Sequence, residues 1–225
     1  MIAKIKSFIA KHPTFMNIAA FGYNFLHYNN SWQYRLGTNT ILLKGVFLKK
    51  TRFNIKGKNN TVIIGPKARL RNCSFFIEGN NCKVVIGGGS TVIFDAEFYI
   101  QEDNSSIIIG SDFYLGAGHI AATEGESITI GNDCMFGDVV IRNGDSHAII
   151  DTLLQKRINH AQPVKIGNHV WITAHVRILK GAHIPSNVII GNSCIITSKL
   201  EKENAIYAGI PAKIVKEHIQ WVKER

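Results

Sequence analysis

The chain has 225 residues, 45% of them hydrophobic and 19% charged, with a mean hydropathy near zero (+0.04), the composition of a globular protein with room for one sizeable core. No stretch approaches the roughly 18 uninterrupted apolar residues of a membrane-spanning helix. The net charge of +10 is unevenly held: residues 1–77 carry 13 Lys or Arg and no acid, whereas the remainder is net negative, which rules out a uniformly basic surface.

That basic third suits a polyanion, either an anionic glycan or an anionic membrane leaflet. Nucleic acid would satisfy the same charge, but no helix-turn-helix, zinc-finger or aromatic-glycine signature accompanies it, so no nucleic-acid partner is expected. Lys4, Lys6 and Lys11 interrupt what would have to be the apolar core of a signal peptide, so a cytoplasmic chain is expected, with a peripheral membrane contact through the basic region as an option. Cys73, Cys82, Cys134 and Cys194 form no C-x-x-C pair and read as free thiols.

In chain order, residues 1–37 read as a helical cap. Ile2, Ile5, Phe8 and Ile9 recur at helical spacing, Pro13 follows, and a second apolar stretch surrounds Phe21 and Phe25. Residues 38–211 read as a solenoid. FNIKGKNNTVIIG at 53–65 returns as FFIEGNNCKVVIG at 75–87, as FYIQEDNSSIIIG at 98–110, and more loosely as HIAATEGESITIG at 119–131. Such offsets suit an 18-residue coil with a few residues extruded at one corner, where Asn-Asn and Gly permit left-handed backbone.

The rhythm breaks once on a large scale, between Ile130 and Ile166. An extended loop at 142–165 contains Asp145, His147, Arg157, Asn159 and His160. A long excursion from a rigid scaffold commonly carries function. His147 could act as a general base in acyl transfer to an alcohol, taking the hydroxyl proton as the oxygen attacks a thioester. Either Asp145 or a backbone carbonyl could fix its tautomer.

From residue 166 the repeat is regular: IGNHVW, ITAHVR, ILKGAH, IPSNVI, IGNSCI, ITSKLE. Each hexad opens on Ile (166, 172, 178, 184, 190, 196), and its fifth residue is Val170, Val176, Ala182, Val188, Cys194 or Leu200. A period of six fits neither a helix nor a hairpin sheet; it fits a coil with three flat faces, one inward residue marking each. Trp171, between two inward residues, should point outward, where its indole N–H or a coil backbone N–H could hold an oxyanion. After Pro211, residues 212–225 read as a C-terminal helix bearing Ile214, Val215, His218, Ile219 and Val222 on one face.

The run IRNGDSHAI, RINH, VKIGNHVWI, ILKGAHIPSNVIIG and YAGIPAKIVKE resembles the hexapeptide-repeat acetyltransferases that use acetyl-CoA, in particular the capsular polysialic acid O-acetyltransferases. The resemblance covers about residues 130–221. It implies a left-handed parallel β-helix, all-β in class, with no metal, assembled as a homotrimer with sites between neighbouring solenoids, acting on a glycan acceptor. By the same resemblance His147 is the catalytic base and Trp171 lines the acetyl site, while Asp145 stays a catalytic candidate from its place two residues before His147. Pantetheine would run past Ala174, Gly181 and Ser198, and Lys213, with Lys180 and Lys199 as further candidates, would meet the coenzyme phosphates. The chain departs from the family at Thr173, Ala174 and His175, where many members have Gly-Ala-Asn. Three other readings remain: a small-molecule acceptor, a γ-class carbonic anhydrase-like zinc site using His147, His169 and His175, and a non-enzymatic solenoid.

Overall fold

The computed structural model describes residues 12–27, 29–34 and 38–224. Parallel strands stack into a left-handed solenoid of about seven turns, triangular in section, preceded by a single helix among the described residues. The chain runs from face one to face two to face three in each turn. Face one takes Phe47–Lys49, Arg69–Arg71, Val92–Phe94, Trp171–Ile172 and Ile189–Ile190. Face two takes Ser31–Tyr34, Arg52–Ile55, Ser74–Ile77, Ala96–Ile100, Val176–Ile178 and Ile195–Ile196. Tyr114–Ala122 and Met135–Arg142 bend around the corner between these faces, and face three is the separate seven-stranded sheet from Thr40–Leu42 to His183–Ile184.

Every inward residue named by the hexad pattern is buried, from Ile166 and Val170 to Ile196 and Leu200. Register confirms the period: Trp171 pairs with Ile189 and Arg177 with Ile195, each 18 residues on. In the earlier coils Arg52 pairs with Ser74 and Glu97 with His119, 22 residues apart. The surplus is extruded at the corner between faces two and three, where Asn59, Asn81 and Asn104 adopt positive φ, a conformation Asn tolerates better than most residues. Gly79 has no room there for a side chain, since a Cβ would lie 2.4 Å from the Glu102 backbone.

Aromatic rings stack inside face two: Phe53 on Phe75 and Phe75 on Phe98, with centroids 4.6 and 4.7 Å apart. Trp32 stacks on Phe53 at the open end, so the solenoid begins at Ser31 rather than at residue 38. All four cysteines are free and buried, and burial pushes the Cys73 thiol up to about 12 and Cys134 to about 11.

Helix α1, Pro13–Leu26, covers the free edge of Phe47–Lys49. Pro13 suits its first turn, where no intrahelical partner is needed for the missing N–H. Met16 and Ala20 are buried, and Asn24 accepts from Leu48 N–H (2.7 Å) and donates to Val46 O (3.0 Å), pairing a strand edge that has no further coil. The outward side leaves Phe15, Ile18, Phe21, Phe25 and Leu26 exposed. The expectations placed on Ile2, Ile5, Phe8, Ile9, Lys4, Lys6 and Lys11 lie outside the described residues. No described helix is long and apolar enough to cross a membrane.

The helix expected over 212–225 does not form. Lys213–Glu217 is a strand, antiparallel to Ala205–Ala208, and irregular chain follows. The last coil leaves one edge of face one unpaired, and the β-branched Ile214 and Val215 suit a strand that satisfies it. The residue that fastens this tail is Trp221, 4% exposed and outside the expected helical stripe. Its ring stacks on His169 with centroids 4.0 Å apart.

Candidate active site

The loop leaves face two after Arg142 and rejoins face three at Val164. Its body is a hairpin in which Ile150–Asp151 pairs with Lys156–Arg157. Asp151 starts the turn by accepting from the N–H groups of Leu153 and Leu154, as Asp does when its side chain substitutes for a backbone turn. At the base sits Asn159, 6% exposed. It donates to Asp145 Oδ2 (2.8 Å) and to His147 O (2.7 Å), and accepts from Ile149 N–H (2.7 Å). The backbone at His147 is thereby fixed from both sides, while the imidazole stays exposed and makes no hydrogen bond among the described residues.

A second anchor comes from the preceding coil. Glu124 pairs with Arg157 and accepts from Ala161 N–H (3.2 Å). The Arg157 hydrogen bond holds its carboxyl below the ordinary value. Arg157 Nε in turn donates to Asn159 Oδ1 (3.2 Å), so Glu124, Arg157, Asn159 and His147 form one connected chain. Asp145 takes Lys180 and Asn159 as its partners, and the Lys180 hydrogen bond lowers its pKa. Its contacts therefore shape the loop rather than reach the His147 ring. Gly181 seats the return of the loop: φ is +75° and a Cβ would lie 2.4 Å from Gln162 Oε1.

Asp145 and Lys180 line a cleft of about 450 Å³ at the corner between faces two and three, together with Arg142, Ser146, Gln162 and Thr197. Of the residues singled out in the sequence, His147, Asp145, Lys180, Gly181 and Ser198 lie at this corner. Trp171 projects outward from face one, Ala174 lies at the corner between faces one and two, and Lys213 lies on the edge strand of face one. One chain therefore does not bring His147 and Trp171 together, because the width of face two separates them.

Lys180 is held by Asp145, and Lys199 pairs with Glu201 at 3.2 Å, whereas Lys213 is exposed with no ion pair among the described residues. The Thr173 hydroxyl turns back onto Ile190 O (2.9 Å). His175 bonds Asp138 (2.8 Å). His169 is committed on both ring nitrogens, to Asp133 Oδ2 (2.7 Å) and Trp221 O (3.0 Å), which removes it from a three-histidine zinc site.

Sequence reasoning missed Glu124 and Trp221. The only sequence signal for Glu124 was that ATEGE replaces the Asn-rich corner of the earlier copies.

No family model matches the chain. A polysialic acid O-acetyltransferase of Neisseria meningitidis is 36% identical over 189 residues, 81% of this chain and 85% of the relative. A polysialic acid O-acetyltransferase of Escherichia coli O1:K1 / APEC is 36% identical over 125 residues, 55% of this chain and 40% of the relative. Among solved structures, the polysialic acid O-acetyltransferase OatWY superimposes with a TM-score of 0.75 at 34% identity, over 88% of this chain and 89% of that one. The polySia-specific acetyltransferase NeuO gives 0.73 at 27% identity, over 87% and 86%.

Proposed function

The chain belongs to the hexapeptide-repeat O-acetyltransferase family that includes the polysialic acid O-acetyltransferases, and from that premise we propose that it moves an acetyl group from acetyl-CoA to a sugar hydroxyl of a bacterial surface glycan, with His147 as general base. The observation that carries the assignment of the base is the geometry of the loop. Asn159 clamps the His147 backbone next to Ser146, which lines the cleft, and the imidazole is exposed and makes no hydrogen bond among the described residues.

In the reaction the neutral imidazole accepts the acceptor hydroxyl proton as that oxygen attacks the thioester carbonyl. The resulting oxyanion requires a donor. The Trp171 indole N–H makes no hydrogen bond among the described residues, whereas that of Trp221 is spent on His169 O (2.9 Å). Collapse re-forms the carbonyl as an ester, expels the thiolate, and the imidazolium returns its proton to that sulfur. Ala174, Gly181 and Ser198 are proposed to border the pantetheine. Lys213 is proposed to meet the phosphates, as the one of three candidate lysines with no carboxylate partner among the described residues.

A homotrimer is part of this reading. His147 lies at the corner between faces two and three and Trp171 on face one, with face two between them, so a site that uses both takes them from two copies. The hairpin tip supports this, with Leu153 at 92% and Leu154 at 65% exposure. We place the enzyme in the cytoplasm, with the apolar outer side of α1 and the basic N-terminal third touching the inner leaflet.

The test is acetyl-CoA-dependent thiol release with sialic acid polymers and monomeric sugars as acceptors. His147→Ala is expected to lower kcat by about 10²- to 10⁴-fold. Unchanged turnover in that variant would remove His147 from the mechanism.

A further inference from the structure

On the flank of the solenoid, remote from the loop, a second concavity of about 470 Å³ opens on face one. Its lining combines Tyr23 of α1, Phe47 and Phe94 with three cations, Lys49, Arg69 and Arg71. None of the three has a carboxylate within ion-pair distance among the described residues. The adjacent Asp95 is taken by Asn72 (2.6 Å). Arg69 lies over the Phe47 ring, 5.9 Å from its centroid, a cation–π contact.

Register ties this concavity to the chemistry. Phe47 pairs with Arg69, Arg69 with Val92, Val92 with Tyr114, Tyr114 with Met135, and Met135 with Trp171. Their inward neighbours Leu48, Leu70, Ile93, Leu115, Phe136 and Ile172 are all buried, so the six form one outward column on one face. Four coil steps, about 19 Å in all, separate Arg69 from Trp171. Tyr114, 39% exposed, stands between them with Phe94 against its edge.

The geometry points to an accessory binding site for a carboxylated polysaccharide, in which Arg69, Arg71 and Lys49 hold sugar carboxylates and the aromatic rings face the apolar sides of the sugars. This site rests on the proposed glycan acceptor and deepens it: a polymer anchored here runs along face one to the acetyl site beside Trp171. A planar guanidinium matches a carboxylate in two parallel hydrogen bonds, which a surface lysine cluster does not. Rings and guanidinium groups gathered in one concavity suit a polymer of carboxylated sugars better than a flat anionic membrane.

The experiment uses the full-length protein and an Arg69→Ala/Arg71→Ala variant, with polysialic acid of graded length and sialic acid dimers too short to span about 19 Å. For long chains the variant is expected to raise KM about tenfold or more, with kcat unchanged. For dimers KM should not move. Arg71→Lys should recover only part of the loss, and a thermal melt confirms that each variant folds.

Calorimetric binding of long polysialic acid to the His147→Ala protein, with and without the arginine changes, reads the site without turnover. Loss of polymer binding in the arginine variant supports the site even if the acetyl acceptor proves to be another sugar. Equal KM shifts for long and short acceptors, or unaltered polymer binding, would overturn it. So would a variant that keeps polymer binding and loses adhesion only to vesicles containing phosphatidylserine.

Discussion

At the scale of single residues, the loop is built so that His147 is positioned through its backbone and not through its ring. Asn159 spends both its donor and its acceptor on that task, and the ion pair of Glu124 with Arg157 keeps Asn159 in place. Glu124 has its pKa lowered, by the Arg157 hydrogen bond first of all, from an ordinary 4.5. A depressed carboxylate contributes stability that is complete above its unfolded value and is lost as the pH falls through the folded one. Glu124→Gln should therefore speed opening of residues 148–160 by about tenfold at pH 7, as read by amide hydrogen exchange corrected for intrinsic rates. The gap between wild type and variant should close only below about pH 4.5. Equal protection at neutral pH would mean that Glu124 does not anchor the loop. The pairing was illegible beforehand because Glu124 and Arg157 are 33 residues apart and belong to different coils.

At the scale of elements, legibility follows the physics that decides each one. The hexads are readable because every inward position must be compact and apolar, and Ile172, Val176, Ala182 and Cys194 meet that demand in sequence order. The loop is readable as an interruption of that demand. The C-terminal strand was not, because Ile214, Val215, His218 and Ile219 fit a helical stripe, while the unpaired edge of Ala205–Ala208 is a property of the finished coil. Helix α1 shows the same dependence at the other end. Its role turns on Asn24, which satisfies two backbone groups of the first face-one strand. Replacing Asn24 by Ala leaves Val46 O and Leu48 N–H unpaired beneath the helix. The expected cost is about 1–3 kcal/mol, measured as a lowered midpoint in urea. A midpoint equal to wild type would show that water replaces the side chain at no cost.

At the scale of the whole molecule, the consequence of the three-faced section is that no single chain can complete the proposed site. His147 sits at the corner beyond face two while Trp171 sits on face one, and neither Gly181 nor Lys180 bridges the width of face two, since both sit with His147. Closing three copies around a threefold axis would bring the loop of one copy to the Trp171 wall of the next, at each of three identical junctions. This arrangement makes a prediction that a self-contained monomeric site does not. His147→Ala and Trp171→Ala proteins, each poorly active alone, should regain activity when unfolded together and refolded. In a random mixture about a quarter of the junctions pair an intact His147 with an intact Trp171 across two copies. Sedimentation should report trimers in all samples, and activity in the mixture should approach about that fraction of wild type. If the mixture stays as inactive as its components while still forming mixed trimers, the two residues do not act across subunits, and the base must serve an acetyl site built within its own chain.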